Sequence, residues 1–264
     1  SQTGLQNRQK YRPVSAEGGC HMKINYLANI LRTAENIVCL AGKGMSREMG
    51  IHTYAESAKA YEIEEMYGRS PEELYTAQCL ATRPEKFYKY YKTEVLMQDQ
   101  DPGAAYYALA EIQKKVNLSW IITRSVYDFP NRAGCQRVIN LHGTIFESHC
   151  PRCGQKYQKE YILEAEKVPL CEKCGVPLNP GVTMMGEMVD NHTMTKAADA
   201  VSKADVLLVL GANLRSNICS DELQYFQGKK LILINSEKHY MDHLADISIN
   251  ENVEDVLQKL LELL

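Results

Sequence analysis

Residues 36–46 read Asn36-Ile37-Val38-Cys39-Leu40-Ala41-Gly42-Lys43-Gly44-Met45-Ser46. The run Asn36–Ala41 is short and apolar without alternation, which suits a strand covered on both faces. A glycine-rich turn follows at once, and a helix is expected beyond it. Strand, glycine turn and helix in that order open a Rossmann-type domain.

The chain on either side fits that start. Ile24, Leu27, Ile30 and Leu31 recur at helical spacing, so an amphipathic helix over 23–35 leads in. Residues 52–118 are helical in character and rich in tyrosine. Pro71-Glu72-Glu73 and Pro84-Glu85-Lys86 read as helix starts, with proline in the first turn and acids after it. Further strands are expected at Leu118–Thr123, 137–141, 205–210, Lys230–Ile234 and 246–249. A closing helix over 253–264 carries Val253, Val256, Leu257, Leu260 and Leu261 on one face. Strands alternating with helices predict an α/β fold: a Rossmann-type parallel sheet with helices on both faces. Ligands on such sheets sit at the carboxyl ends of the strands. Residues 42–46, 123–127, His142, 211–213 and Asn235 all fall at such ends, which points to one nucleotide site.

Nine cysteines are present. Cys150-Pro-Arg-Cys153 and Cys171-Glu-Lys-Cys174 form two C-x-x-C pairs with 17 residues between them, each followed by glycine. Four thiolates suit tetrahedral zinc, and each tight turn brings two sulfurs to one ion. Coordination by four thiolates leaves no open position, so the expected zinc is structural. This module, roughly 146–180, interrupts the Rossmann-type domain, which is assigned residues 22–145 and 181–264 with a helical insertion over about 53–100. The whole is thus a parallel α/β sheet plus a small zinc-ribbon and helical module.

Of the 264 residues, 45% are hydrophobic and 24% charged, with a formal net charge of −3. That balance lacks the basic stripe of a nucleic-acid binder. No apolar run approaches the roughly 20 residues needed to span a bilayer, and no secretory leader is read at the start. A cytoplasmic protein with no nucleic-acid or membrane partner is the expectation. Residues 1–21 are polar and without period, and His21-Met22 is what a common cloning junction leaves. They are set aside as a tag or a disordered extension.

Taken in order, the motifs over residues 23–262 resemble those of the sirtuin family of NAD-dependent protein deacylases. Gly42-Lys43-Gly44-Met45-Ser46 and residues 49–55 align with the family's Gly-Ala-Gly-x-Ser and Ser-Gly-Ile-Pro-Asp-Phe-Arg. Thr123-Arg124-Ser125-Val126-Tyr127 aligns with Thr-Gln-Asn-Ile-Asp. Arg132-Ala133-Gly134 and Leu141-His142-Gly143 are intact. Residues 180–187 resemble Pro-x-Val-Val-x-Phe-Gly-Glu, residues 211–214 the Gly-Thr-Ser-Leu turn, and Ile234-Asn235 the Ile-Asn pair.

The resemblance implies NAD, or ADP-ribose, as cofactor and an acyl-lysine protein or peptide as substrate. In the family's chemistry the acyl oxygen attacks the ribose carbon that bears nicotinamide, and nicotinamide leaves. The position of His142 then serves as general base on the ribose hydroxyls, a step imidazole suits because it titrates near neutrality. Ser125 stands at the ribose-side catalytic asparagine. Gly42, Lys43, Gly44, Ser46, Tyr54, Arg124, Val126, Tyr127, Gly211, Ala212, Asn213 and Asn235 stand at cofactor-binding positions. Val182 and Met185 border the acyl-lysine groove, with Met184 beside them.

Several of those positions differ in side chain. Tyr127 stands where the family has its nicotinamide-binding aspartate, and a phenol offers no carboxylate at neutral pH. Ser125 is shorter than asparagine, Arg124 replaces glutamine, and Thr53-Tyr54-Ala55 replaces Asp-Phe-Arg. Lys43 replaces a small residue. Its ammonium meets the diphosphate, as a P-loop lysine does, or its stem fills the site and excludes NAD, or it is a solvated surface lysine. Two function classes follow: an NAD-consuming deacylase or ADP-ribosyltransferase, and a weakened relative that binds NAD or ADP-ribose or serves as a scaffold.

Overall fold

A computed structural model describes residues 19–52 and 57–264, so Tyr54 and residues 1–18 lie outside the described residues. The strands are β1 (Ile37–Ala41), β2 (Leu118–Thr123), β3 (Val138–Asn140), β4 (Gly143–His149), β5 (Lys156–Gln158), β6 (Asn179–Val182), β7 (Val206–Leu210), β8 (Lys230–Ile234) and β9 (Ile247–Ile249). The described residues divide into two compact units, one within 19–50, 102–141 and 190–264, the other within 51–52, 57–101 and 142–189.

The first unit holds a six-stranded sheet in the order β3-β2-β1-β7-β8-β9, with every neighbouring pair parallel. All residues of β1 and β7 are buried, as their unbroken apolar runs require when helices cover both faces. The helix Val253–Leu263 packs on both Cys20–Thr33 and Ala104–Lys115, and Asn191–Lys203 packs with Asn217–Glu222. The first helix begins at Cys20, ahead of the expected start, and buries Ile24, Leu27, Ala28 and Leu31. Counted within this unit, the sheet runs 3-2-1-4-5-6, the doubly wound order whose switch point lies between the strands written here as β1 and β7. Sequence order reverses there, so the connecting loops leave in opposite directions and open a crevice at the carboxyl ends.

The second unit combines helices from residues 57–98 with a three-stranded antiparallel sheet in the order β5-β4-β6. Both expected proline starts are helix N-termini, at Pro71–Leu74 and Pro84–Tyr90. Glu73 Oε2 accepts the Ser70 backbone N–H at 3.2 Å, closing a capping box. The tyrosine-rich stretch is an aromatic core: the Tyr75, Phe87 and Tyr91 rings stack at 5.8–6.4 Å between centroids. Lys159 ties the helices to the sheet through Asp99, at 2.7 Å and largely shielded from solvent. Tyr88 and Lys92 do so through the carbonyls of Leu178 and Ala165. Among the described residues no helix is long and apolar enough to cross a membrane.

Candidate functional site

In the first unit, backbone hydrogen bonds continue past the strands and fix their tips in a row. Leu141 N–H donates to the Thr123 carbonyl at 2.9 Å, Gly42 N–H to Leu210 at 2.7 Å, Gly211 N–H to Ile234 at 2.8 Å and Asn235 N–H to Ile249 at 3.1 Å. The two turns flanking the switch point interlock, since Gly44 N–H donates to the Gly211 carbonyl at 2.7 Å. A Cβ on Gly42 or Gly44 would sit 2.6–2.7 Å from that same carbonyl oxygen. Glycine is required here for backbone against backbone, a cause the sequence alone does not separate from close approach of a ligand.

The side chains expected at the cofactor differ in what they do locally. Lys43 reaches solvent. Partial desolvation, then the Arg124 and Arg47 guanidiniums, lower its pKa from the ordinary lysine value. Arg124 Nη1 donates to Asp221 Oδ2 at 3.1 Å. Ser125 is part of a local turn: its N–H donates to Thr123 Oγ1 at 3.0 Å, and its Oγ accepts the Tyr127 N–H at 3.4 Å. Val126 is half-buried. Tyr127 is buried, with its ring stacked on Phe129 at 5.3 Å. Ser46 Oγ lies 3.5 Å from Tyr106 Oη. Ala212 is buried, and Asn213 Oδ1 caps its own loop by accepting the Arg215 N–H at 2.9 Å. Asn235 is also buried, and its amide donates to the Glu237 carbonyl at 3.1 Å.

Two residues of this unit escaped the sequence reading. Asp128 follows Tyr127 with a left-handed φ of 52°, a conformation Asp tolerates better than most residues. Glu222 is 5% exposed on the helix Asn217–Glu222. Burial, reinforced by Asp221 and opposed by Arg124, pushes its carboxyl up to about 7. A Glu among Asp221, Leu223 and Gln224 looks like any solvated helix position, so no sequence signal marked it.

In the second unit, His142 follows Leu141 directly and is half-buried. Its carbonyl accepts the Thr183 N–H at 2.8 Å, which fixes the backbone beside β6. Val182 is buried and pairs with Gly143. Met185 N–H donates to the Tyr75 carbonyl at 2.8 Å, so its backbone is held against the helical segment, and Met184 is buried.

The sulfurs of Cys150, Cys153, Cys171 and Cys174 all lie within 4.8 Å of one another, with Cys153 and Cys171 at 3.7 Å. A tetrahedral ion with Zn–S bonds of about 2.3 Å demands sulfur separations of roughly 3.8 Å, so the donor set fits zinc. The two turns are alike. Gly154 N–H donates to the Cys150 carbonyl at 2.9 Å and Gly175 N–H to the Cys171 carbonyl at 2.8 Å, both glycines having positive φ. Tyr157 is the partner the sequence did not disclose. Its hydroxyl donates to Cys171 Sγ at 3.3 Å and accepts the Glu172 N–H at 2.9 Å. That hydroxyl is the leading influence bringing the Cys171 thiol down to about 6. Removing it in Tyr157→Phe is expected to weaken zinc retention about tenfold, read as faster metal transfer to a colorimetric chelator.

A model of the Sir2 family matches residues 42–217. An NAD-dependent protein deacetylase of Clostridium perfringens is 32% identical over 91% of this chain and 99% of its own length. That of Clostridium acetobutylicum is 31% identical over 89% and 97%. Among solved structures, Sir2 bound to acetylated peptide superposes with a TM-score of 0.75 at 26% identity, covering 90% of this chain and 97% of that one. Sir2 with a p53 peptide and NAD+ gives 0.73 at 26%, covering 90% and 96%.

Proposed function

The chain belongs to the Sir2 family, and from that premise we propose that it is an NAD-dependent protein-lysine deacylase, or a closely related ADP-ribosyltransferase. The observation that carries this reading is the pair of interlocked glycine turns at the switch point of the parallel sheet. A dinucleotide diphosphate binds at such a crevice because the turns there leave room for it. In this reading Gly42, Gly44, Gly211 and Ala212 shape the floor, Lys43 and Arg124 meet the phosphates, and Ser46, Val126, Asn213 and Asn235 complete the cradle. His142 accepts a proton from a ribose hydroxyl, so that the hydroxyl oxygen bonds to the acyl carbon and the lysine amine is released. Ser125 serves the ribose side, and Val182 and Met185 border the acyl-lysine. NAD supplies the ribosyl carbon and a leaving group, nicotinamide. The four cysteines would hold one zinc, which organises the second unit without taking part in the reaction. None of the nine cysteines is in a disulfide, which suits a reducing cytoplasm.

A second reading, an ADP-ribose-binding module without turnover, draws on Tyr127, whose buried ring takes the place of a carboxylate. One assay separates them: NAD and an acetyl-lysine peptide are incubated with the protein, and nicotinamide and deacylated peptide are followed by mass spectrometry. Turnover is expected, with deacylated peptide lowered at least about a hundredfold in His142→Ala. Background turnover alongside measurable ADP-ribose binding would select the second reading.

A further inference from the structure

Asn235 follows β8 and Asn250 follows β9, and the parallel register sets Ile234 beside Ile249, so the two asparagines are neighbours at adjacent strand tips. Asp242 joins them. It is buried, and its Oδ2 accepts the Asn250 side-chain amide at 3.0 Å and the His239 backbone N–H at 2.9 Å. The same Asn250 nitrogen lies 3.4 Å from the Asn235 carbonyl and 3.5 Å from the Glu237 carbonyl. The Asn235 amide in turn donates to the Glu237 carbonyl at 3.1 Å. A closed set of polar contacts therefore pins the loop after β8 to the tip of β9. A carboxylate this shielded is costly to a fold unless donors surround it, and the donors at Asp242 are those that hold the loop.

The arrangement decides which way the Asn235 amide faces. Its nitrogen must point at the Glu237 carbonyl, since an oxygen there would meet an oxygen. Oδ1 therefore faces the other way, and it accepts no hydrogen bond among the described residues. It is an acceptor of fixed direction. A dinucleotide straddles the switch point with one half on each side. Ser125, beyond β2, serves the nicotinamide-side ribose in the reading above, so the adenosine falls toward β8 and β9. We infer that Asp242, acting through Asn250 and the Glu237 carbonyl, is a positioning residue that fixes Asn235 Oδ1 to accept a hydroxyl of the adenosine ribose. The inference rests on the nucleotide reading and adds to it what orients the group that recognises this ribose.

Isothermal titration of the full chain with ADP and with 2′,3′-dideoxy-ADP isolates that contact, because ADP has no second ribose. The wild type is expected to prefer ADP about tenfold, the effect of one hydrogen bond left unmade. The preference should fall to near one in Asn235→Ala, and likewise in Asp242→Ala and Asn250→Ala. Asp242→Asn keeps an acceptor oxygen for the same two donors and should retain it. A merely structural role would weaken both nucleotides alike and leave their ratio unchanged. Asn250→Ala carries the test should Asp242→Ala fail to fold, as its thermal midpoint would show. Equal affinity of the wild type for the two nucleotides, a ratio unmoved in the Asp242 and Asn250 alanine variants, or a ratio lost in Asp242→Asn would overturn the inference and leave the nucleotide reading standing. Failure of the wild type to bind either ADP or ADP-ribose would overturn both.

Discussion

Gly211→Ala is expected to lower the stability of the fold by about 3–5 kcal/mol, read as the shift of the urea unfolding midpoint at constant slope. Two costs add at this position. Its φ of +64° lies in the left-handed region, where an L side chain costs about 1–2 kcal/mol. The new Cβ would also stand 2.6 Å from the Met45 nitrogen and 3.1 Å from the Gly44 carbonyl carbon. Those are backbone atoms of the facing turn, so no rotamer relieves the contact and the turns must part. Gly50 separates the two costs, since its φ is +83° and nothing lies within 4 Å of the position a Cβ would take. Gly50→Ala is expected to cost only about 1 kcal/mol. Equal midpoints for the two variants would mean that the turns are not interlocked as described. ADP-ribose binding should be lost in Gly211→Ala and kept in Gly50→Ala.

Glu222→Gln has an expected effect of similar size and opposite sign, which grows between about pH 4 and pH 7 and holds above that. The folded carboxyl is pushed up to about 7 by burial and by Asp221, whereas in the unfolded chain it ionises near an ordinary glutamate value of about 4.3. Between those values the folded state holds a proton that the unfolded state has released, so stability falls as pH rises. The favourable contribution is complete below about pH 4 and is lost as pH passes through about 7. Above that the ionised, shielded Glu222 costs the wild type on the order of 3 kcal/mol. Glutamine keeps the shape without the charge. The variant should match the wild type at or below about pH 4 and exceed it by up to about 3 kcal/mol at pH 8.5. Denaturation curves at both pH values check this, and a constant difference between the proteins would refute it.

The sheet was legible because its strands are short, unbroken apolar runs, each ending at a glycine or polar turn. Leu118–Thr123 and Lys230–Ile234 match the expected strands at both ends, and the others differ by a residue or so where fraying decides. The zinc ligands were legible because paired thiols report on metal through spacing alone. What surrounds them was not. β4, β5 and β6 frame the cysteines from residue 143 to residue 182, and neither their pairing nor the Tyr157 hydroxyl on Cys171 follows from local pattern. The same holds for the charges around the switch point. Arg124 and Asp221 are 97 positions apart, and Arg47 and Glu237 are 190 apart. Sequence spacing carries no trace of such encounters, so Lys43 could be read as phosphate ligand or as plug, while its two cationic neighbours became visible only in three dimensions. At Asn235 and Asn213 the side chains cap their own loops, a use that residue type and position leave open beside ligand contact.

The position of β1 sets the timetable on which this chain can be made. β1 lies between β2 and β7, and Asn36, at its threshold, is held by Asp205, 169 positions later. At about 5–20 residues per second, a ribosome needs on the order of 10–30 s to deliver that partner. Throughout that interval one edge of a wholly apolar strand waits without its neighbour, exposed to pairing with other nascent chains. Closure of the sheet is therefore a late, long-range event, and slower translation or chaperone shielding of residues 37–41 would govern the yield of folded protein.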